Sequence, residues 1–173
     1  MRYKLSIFII LTCSFIVAFY YNQNHQTVLE RTNFNELNQE LTTLKLKTLE
    51  GTEIDFKDIN SRIILLNFWA SWCAPCLKEF PSMLKLLNEA NGDIAIIAIS
   101  IDSKTSDAIK FLEKINYKEA IYPNSYFVID SEQQIAKDKF GVFLVPETLI
   151  IRNGEITQKI QGGIEWNKET VNL

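Results

Sequence analysis

Residues 62–76 read RIILLNFWASWCAPC, and the rest of the domain can be understood from this stretch. Its first half, 62–69, is an uninterrupted β-prone apolar run, typical of a strand buried on both faces in the middle of a sheet. Beyond the second cysteine the period changes, and apolar residues recur at helical spacing from Phe80 to Leu87. The two cysteines therefore lie where a central strand ends and a helix begins.

Strand and helix patterns continue on both sides of this motif. Weak alternation around the turn Glu50-Gly51-Thr52 predicts an amino-terminal β-hairpin. Further strands are predicted at 94–101, 127–130, 148–152 and 155–161, and helices at 107–115, 134–140 and 166–171. Buried parallel strands precede a final antiparallel hairpin, so we expect an α/β domain with a mixed central sheet and helices on both faces.

Composition excludes several classes of protein. The chain has 173 residues, of which 47% are hydrophobic and 23% charged, which argues against a wholly disordered chain. The formal net charge is −3 and no basic run is present, so a nucleic-acid partner is not expected. The only cysteine and histidine ligands that zinc could find are Cys73, Cys76, His25 and Cys13, and Cys13 lies in the predicted membrane segment, so no metal is expected.

The amino terminus has the pattern of a signal anchor. Arg2 and Lys4 precede an uncharged stretch, 5–21, which as a helix would be about 25 Å long, slightly short of a ~30 Å hydrocarbon core. The basic residues in front of the stretch predict that the amino end stays in the cytoplasm. Cleavage as a signal peptide and lipidation at Cys13 are alternatives, and all three place the domain outside the cytoplasm.

We therefore divide the chain into three parts. Residues 1–21 are predicted to form a single membrane helix, 22–41 a polar tether rich in Asn and Gln, and 42–173 the folded domain. Within the tether, a leucine spacing that begins at Leu37 can support a short helix. The expected location is the cell membrane, with the domain on the periplasmic side.

Cys73 and Cys76 carry the expected chemistry. The thiolate is the reactive species in disulfide exchange, and the unpaired N–H groups at a helix amino terminus favour an anion there. Cys73, at that end, is the expected nucleophile. Cys76, one turn further in and more buried, is expected to resolve the mixed disulfide. Pro75 is tolerated near the helix start because its missing N–H would be unpaired anyway.

Three other interpretations of the cysteine pair are weaker. A structural zinc site needs four ligands, and a c-type haem site needs His where Leu77 stands. A purely structural disulfide would gain little from closing so short a loop. The pair is therefore interpreted as redox-active.

Two spaced motifs resemble the thioredoxin superfamily. They are 67–76 (NFWASWCAPC), followed by Pro81, and 141–148 (GVFLVPET). The second motif is similar to the extracytoplasmic, membrane-anchored ResA/TlpA/CcmG (DsbE) thiol-disulfide oxidoreductases. The resemblance covers about 42–173 and implies a thioredoxin fold with an amino-terminal hairpin extension.

The resemblance also implies roles for individual residues. Pro146 matches the family's cis-proline, which faces the active site, and the backbone of the preceding Val145 would pair with a substrate chain. Around the first cysteine, Trp72, Ala74 and Pro75 are expected to border the substrate groove.

Two positions depart from the family pattern. Asn67 stands where thioredoxin has a buried acid, and Ala74 stands where some reductants of this branch have Glu. A proton relay would therefore need another carboxylate, or none. Glu79 and Glu147 are the candidates, since a carboxylate beside two thiols in a cleft can have a raised pKa. The alternatives are a solvated helix face for Glu79 and a strand-edge surface position for Glu147.

By resemblance, we expect a membrane-tethered oxidoreductase without a cofactor that reduces protein disulfides. The typical client is the pair of haem-attachment cysteines of apocytochrome c, with electrons from a membrane protein of the DsbD/CcdA type in the inner or cytoplasmic membrane. A peroxiredoxin-like thiol peroxidase is one alternative, although no arginine is placed for it. A non-catalytic anchored peptide-binding module is another. The sequence does not determine the direction of electron flow.

Overall fold

The computed structural model describes residues 14–17, 19, 34–118 and 121–173. The chain divides into two compact units, Met1–Glu36 and Leu37–Leu173. The predicted membrane helix at 1–21, including Cys13, lies mostly outside the described residues. Within the described ranges, no helix combines the length and apolarity needed to cross a membrane.

The first elements surround the central motif. They are α1 (34–42), β1 (Lys45–Lys47), β2 (Glu53–Asp55), a 3-10 turn (Phe56–Asp58), β3 (Ile63–Trp69) and α2 (Ala74–Glu89). The predicted short helix beginning near Leu37 and the predicted hairpin around Gly51 are both confirmed. Leu37 and Leu41 are buried, which explains why this short helix forms.

The remaining elements complete the sheet. They are β4 (Ile94–Ser100), α3 (Thr105–Lys114), β5 (Ser125–Ile129), a π-helical turn (Gln134–Lys139), β6 (Glu147–Arg152) and β7 (Glu155–Gln161). The central sheet has the order β5-β4-β3-β6-β7. Strands β3, β4 and β5 are parallel, whereas β6 and β7 are antiparallel to their neighbours. The predicted mixed sheet is confirmed, with the apolar run of β3 at its centre.

Both faces of this sheet are covered. Successive parallel strands joined by right-handed crossovers place α2 and α3 on one face. There the Trp69 ring lies 5.3 Å from Phe80 of α2 and 4.4 Å from Phe111 of α3. On the other face, Phe68 lies 5.6 Å from Phe140, at the end of the π-helical turn. The alternation of side chains along β3 thus supplies two hydrophobic cores.

The two outer strands of the sheet are contacted by the segment that precedes β3. Next to β5, Thr48 forms an isolated antiparallel bridge with Val128, and the Leu49 N–H donates to the Phe127 carbonyl at 2.8 Å. Next to β7, the Ile156 N–H donates to Asn38 Oδ1, also at 2.8 Å. Each edge therefore has part of its backbone hydrogen-bonding capacity satisfied.

The prediction of a final helix at 166–171 is wrong, since turns occupy this stretch. The Thr170 N–H donates to Asn167 Oδ1 at 2.9 Å, and the Thr170 hydroxyl donates to the Asn167 carbonyl at 2.7 Å. These local side-chain hydrogen bonds compete with helical ones. The chain after β7 therefore follows an irregular path, with Trp166 buried at 3% exposure.

Candidate active site

Cys73 and Cys76 lie at the junction of β3 and α2, as predicted. Cys73 is the N-cap of α2, and its Sγ accepts a hydrogen bond of 3.2 Å from the Cys76 N–H. The two residues form a disulfide, and Cys76 is fully buried while Cys73 is 4% exposed. In the reduced state, the helix amino terminus would favour a thiolate at Cys73.

The loop before Cys73 is fixed by a buried carboxylate. Asp102, directly beyond β4, accepts hydrogen bonds from the Ser71 N–H at 2.9 Å and the Ser71 hydroxyl at 2.8 Å. The Ser100 hydroxyl donates to the same carboxylate at 2.7 Å. Trp72, next along the loop, is 69% exposed. Its side chain is therefore open to contact with another molecule, and its place at the border of a substrate groove stays a prediction.

The peptide bond between Val145 and Pro146 is cis, so this prediction is confirmed. Strand β6 begins at Glu147, which pairs with Phe68 near the end of β3. Pro146 therefore lies at the same end of the sheet as Cys73, where β3 ends and β6 begins. Within the described part of the chain, the backbone N–H and C=O of Val145 have no hydrogen-bond partner, which leaves them available to an extended peptide.

Two apolar residues at this end of the sheet were not singled out in the sequence. Phe143 and Leu144 directly precede Val145 and are 73% and 79% exposed. With Trp72 they place large apolar side chains on the loops beside the disulfide. Their position directly before the cis-proline was the available signal, since apolar residues in a loop without a partner are candidates for contact with another molecule.

Glu79 is 1% exposed, so its interpretation as part of a solvated helix face is wrong. The Asn67 Nδ2 group donates to Glu79 Oε1 at 3.0 Å and to the Thr148 hydroxyl oxygen at 2.9 Å. These partners come from β3 and β6, on the face of the sheet that α2 covers. Asn67, noted above only as a departure, is thus a direct neighbour of this carboxyl.

Burial raises the pKa of Glu79 from its ordinary 4.5 to about 7. Interactions with Asn67, with the Trp166 side chain and with the backbone at Ile164 lower this pKa in part. Cys76 lies one turn earlier on the same buried helix face. A carboxyl group that titrates near neutrality in this position can exchange a proton with a nearby thiol.

Glu147 is also buried, at 2% exposure, so it is not a surface residue. Its carboxylate forms an ion pair of 2.7 Å with Lys159 Nζ and accepts a hydrogen bond of 2.9 Å from Gln161 Nε2. Because Glu147 pairs with Phe68 while its neighbour Thr148 pairs with Asn67, the Glu147 side chain lies on the sheet face opposite α2. The structure therefore does not bring Glu147 to the face that carries Glu79.

Ala74 and Pro75 line a groove of about 790 Å³ between α2 and the chain after β7. Glu79, Gly163 and Ile164 also line this groove. Both motif residues between the cysteines are exposed, and their contact with a substrate stays a prediction. Across the described ranges, no group of three His, Cys, Asp or Glu side chains could hold a metal ion.

Comparison with known protein sequences finds relatives of the kind that the sequence motifs resemble. The AhpC/TSA family model matches residues 37–159. The thioredoxin-like protein YneN of Bacillus subtilis (strain 168) is 30% identical over 131 residues, which cover 76% of this chain and 74% of the relative. The thiol-disulfide oxidoreductase ResA of Bacillus thuringiensis subsp. konkukian is 33% identical over 137 residues, covering 78% and 73% respectively.

Solved structures agree with the fold. A crystal structure from Chlorobium tepidum, named as a thiol:disulfide interchange protein DsbE, superimposes with a TM-score of 0.60 at 28% identity. The match covers 75% of this chain and 87% of that chain. A secreted Mycobacterium tuberculosis disulfide oxidoreductase matches with a TM-score of 0.62 at 20% identity, which supports the fold alone.

Proposed function

The chain belongs to the AhpC/TSA family and is a thioredoxin-like thiol-disulfide oxidoreductase, and from this premise we propose that it works as a membrane-tethered, extracytoplasmic reductant of protein disulfides. Its proposed clients are the haem-attachment cysteines of apocytochrome c. The observation that carries the proposal is the Cys73–Cys76 disulfide at the start of α2, at the same end of the sheet as the unpaired backbone of Val145.

The reaction follows from the position of the two sulfurs. The Cys73 thiolate attacks one sulfur of a client disulfide, a new S–S bond forms, and the client's second sulfur leaves as a thiolate that takes up a proton. The Cys76 thiolate then attacks the Cys73 sulfur, which breaks the mixed disulfide and releases the first client sulfur as a thiolate. The client has gained two electrons, and Cys73 and Cys76 end as the disulfide seen here.

Glu79 is the proposed acid–base group of this cycle. Cys76 must lose a proton before it can attack, and its buried position disfavours a free thiolate. Since the pKa of Glu79 is raised to about 7, its carboxylate can accept that proton near neutral pH. Glu147 has no such place in the cycle, because its side chain lies on the opposite face of the sheet and is paired with Lys159.

The client would bind as an extended chain across the cis-proline loop. Backbone groups of Val145 would pair with the client, as in the addition of a strand to a sheet edge. The exposed side chains of Trp72, Phe143 and Leu144 would contact apolar residues beside the client cysteine. A segment around a disulfide in an apocytochrome, which is not yet folded, can adopt this extended conformation.

Re-reduction needs a dithiol donor, and we propose a membrane protein of the DsbD/CcdA type. The supporting observation is the anchor pattern of the sequence, in which Arg2 and Lys4 precede the uncharged stretch 5–21. A tether of polar residues would let the domain reach both a donor in the membrane and a client above it.

The peroxidase alternative gains no support from the arginines that the structure describes. Arg62 precedes β3, and Arg152 pairs with Ile63 at the start of β3. Cys73 lies beyond the other end of this strand, about 20 Å away at 3.3 Å per residue. Neither guanidinium can therefore reach a peroxide bound at the Cys73 sulfur.

Trapping of a client peptide tests the proposal. The full chain in mild detergent would be mixed with a disulfide-closed peptide that carries two haem-attachment cysteines. Cys76→Ser is expected to accumulate a mixed disulfide, Cys73→Ser to form none, and the matched control Cys13→Ser to turn over like the wild type. The midpoint potential, followed by Trp72 fluorescence, is expected at or below about −200 mV.

Two outcomes would reject parts of this proposal. A potential near about −120 mV, typical of a strong oxidant, would reverse the direction of electron flow. Peptide binding that persists in the Cys73→Ser/Cys76→Ser double variant, with function intact, would instead identify an anchored peptide-binding module.

A further inference from the structure

The chain directly after β7, which we call the 162–166 segment, packs along α2 beside the cysteine motif. Its last residue, Trp166, is 3% exposed, and the Trp166 backbone N–H donates to Ser82 Oγ at 2.9 Å. The Ser82 hydroxyl in turn donates to the backbone carbonyl of Glu79 at 2.8 Å. One serine thus joins the segment to the helical turn that carries Glu79.

A second attachment lies at the cysteine motif itself. A Cβ atom placed on Gly163 would lie 3.1 Å from both the Cβ and the carbonyl oxygen of Pro75. Such contacts are tighter than ordinary van der Waals packing, so only glycine fits here without movement. The segment is therefore held against α2 at two points, Pro75 and Ser82, which lie on either side of Glu79.

Between these two points the segment lies beside Glu79. Ile164 and Glu79 line the same groove, and the Glu79 side chain is 1% exposed. The Trp166 Nε1 group and Glu79 Oε2 each lack a partner of good hydrogen-bond geometry among the described residues. The neighbouring Trp166 side chain lowers the pKa of Glu79, although burial raises it more.

Other charged groups contribute little at this site. The sheet presents neutral groups to the carboxyl, the Asn67 amide and, beyond it, the Thr148 hydroxyl. Apart from Glu79, the charged residues that line the groove are exposed, and their fields are screened by water: Lys78, Lys85 and Glu165. Water exclusion and the tryptophan are therefore the means by which the segment can act on Glu79.

We propose that the 162–166 segment is a positioning element for Glu79, in which the close contact of Gly163 with Pro75 keeps water from the carboxyl and Trp166 helps to hold the carboxyl in place. Since Glu79 is the acid–base group of the proposed function, the catalytic meaning of this role rests on that function. The segment itself touches no reacting atom. Its effect is on the proton affinity of Glu79.

The two parts of this role predict shifts of opposite sign. Trp166→Phe keeps an aromatic ring in place but removes the N–H, so the carboxylate loses a favourable interaction and the pKa of Glu79 rises. Gly163→Ala pushes the segment away from Pro75 and admits water, so the pKa of Glu79 falls toward its ordinary value. Each shift should change the acid dissociation constant about tenfold, or ~1 pH unit.

The measurement is a carbon-13 NMR titration of the full chain, labelled at glutamate carboxyl groups and held in the disulfide form. The Glu79 signal is identified by its loss in Glu79→Gln. Trp69→Phe is the matched control, since Trp69 is another buried tryptophan whose Nε1 lacks a hydrogen-bond partner in the described structure. Its Glu79 titration should match that of the wild type.

Shifts of the same sign in both variants, or no shift in either, would overturn the proposal. If Gly163→Ala does not fold, Ser82→Ala replaces it. Ser82→Ala removes the hydroxyl that accepts a hydrogen bond from the backbone N–H of Trp166, and this variant should also lower the pKa of Glu79. The pH profile of peptide reduction is then recorded for the same variants. If the Glu79 titration shifts as expected but this profile does not, the segment's role stands and the acid–base role of Glu79 fails.

Discussion

The two faces of the central sheet carry two buried carboxyl groups at the same strand ends, with different neighbours. On the α2 face, Glu79 meets the neutral amide of Asn67, which also bonds Thr148. On the other face, Glu147 meets the ammonium group of Lys159 at 2.7 Å. Glu79 is 1% exposed and Glu147 is 2% exposed, so burial alone does not distinguish them.

The two carboxyl groups are almost equally buried, so the difference in their partners determines which of them is suited to exchange protons. A countercharge compensates for the hydration that a buried carboxylate loses, so an ion pair of this kind can fix structure. A carboxyl that meets only neutral dipoles keeps its proton to higher pH, and burial accordingly raises the pKa of Glu79 to about 7. The α2 face is therefore suited to proton exchange, and the Glu147 face to holding β6 and β7 together.

The largest expected effect comes from removing the countercharge. Lys159→Met keeps most of the aliphatic stem but leaves the Glu147 carboxylate buried without its cation. We expect the free energy of unfolding at pH 7 to fall by about 3 to 4 kcal/mol, measured by urea denaturation. Adding Glu147→Gln to this variant should restore part of the loss, because no uncompensated charge then remains buried.

Lys85→Met is the matched control for this comparison. Lys85 forms a pair of 3.8 Å with Glu89, but both side chains are largely exposed. Its replacement should cost about 0.5 kcal/mol or less. Equal losses in Lys85→Met and Lys159→Met would show that Glu147 does not depend on its partner.

The next largest expected effect is the contribution of Glu79, on the α2 face, to the pH dependence of the free energy of unfolding. The pKa of Glu79 is about 7 in the folded chain and is expected near 4.5 when the chain is unfolded. A raised pKa stabilises the fold fully below pH 4.5, and this contribution is lost as the pH rises through 7. The loss attributable to Glu79 should be at most about 3 kcal/mol.

Urea denaturation of the full chain between pH 4 and pH 8 measures this contribution. Glu79→Gln cannot titrate, so its stability should fall less over this interval than that of the wild type. The matched control is Glu147→Gln, which keeps Glu79 and should therefore keep the fall in stability that is due to Glu79. If Glu79→Gln and the wild type give parallel curves, Glu79 does not hold a proton in the folded chain.

A smaller effect, on the pKa of Glu79, is expected from replacing its neutral partner Asn67. Asn67→Leu has similar volume but removes the hydrogen bond that favours the charged form of Glu79. The pKa of Glu79 should rise further, by about 1 pH unit, in the carboxyl NMR titration. The control is Asn38→Leu, which removes an Asn side chain that bonds Ile156 instead. A fall in the pKa would mean that burial of Glu79 depends on Asn67.

Local patterns in the sequence were sufficient for the fold around the cysteines. The apolar run of β3 predicted a central strand, and the change of period after Cys76 predicted α2, because each pattern reports on one element alone. The cis bond at Pro146 followed from a resemblance, since no local rule distinguishes it from an ordinary proline turn.

The environments of the two acids could not be predicted in this way. Glu79 is followed in α2 by Phe80 and Pro81, and it shares a groove with the 162–166 segment, more than 80 positions away in the chain. The face on which Glu147 lies depends on strand register, because a slip of one residue would exchange the faces of Glu147 and Thr148. Long-range packing and register determine both sites.

The contacts at the outer strands have a consequence for solubility. An unpaired strand edge is a template on which a second chain can add, and β5 and β7 are the only two edges that the described sheet presents. Asn38 occupies a donor on β7, and Thr48 and Leu49 occupy part of β5. Residues 38–49 thus protect part of both edge strands from pairing with a second chain. A chain shortened to begin at β3 would keep the cysteines but leave β5 and β7 open to such pairing, so we expect it to aggregate more readily.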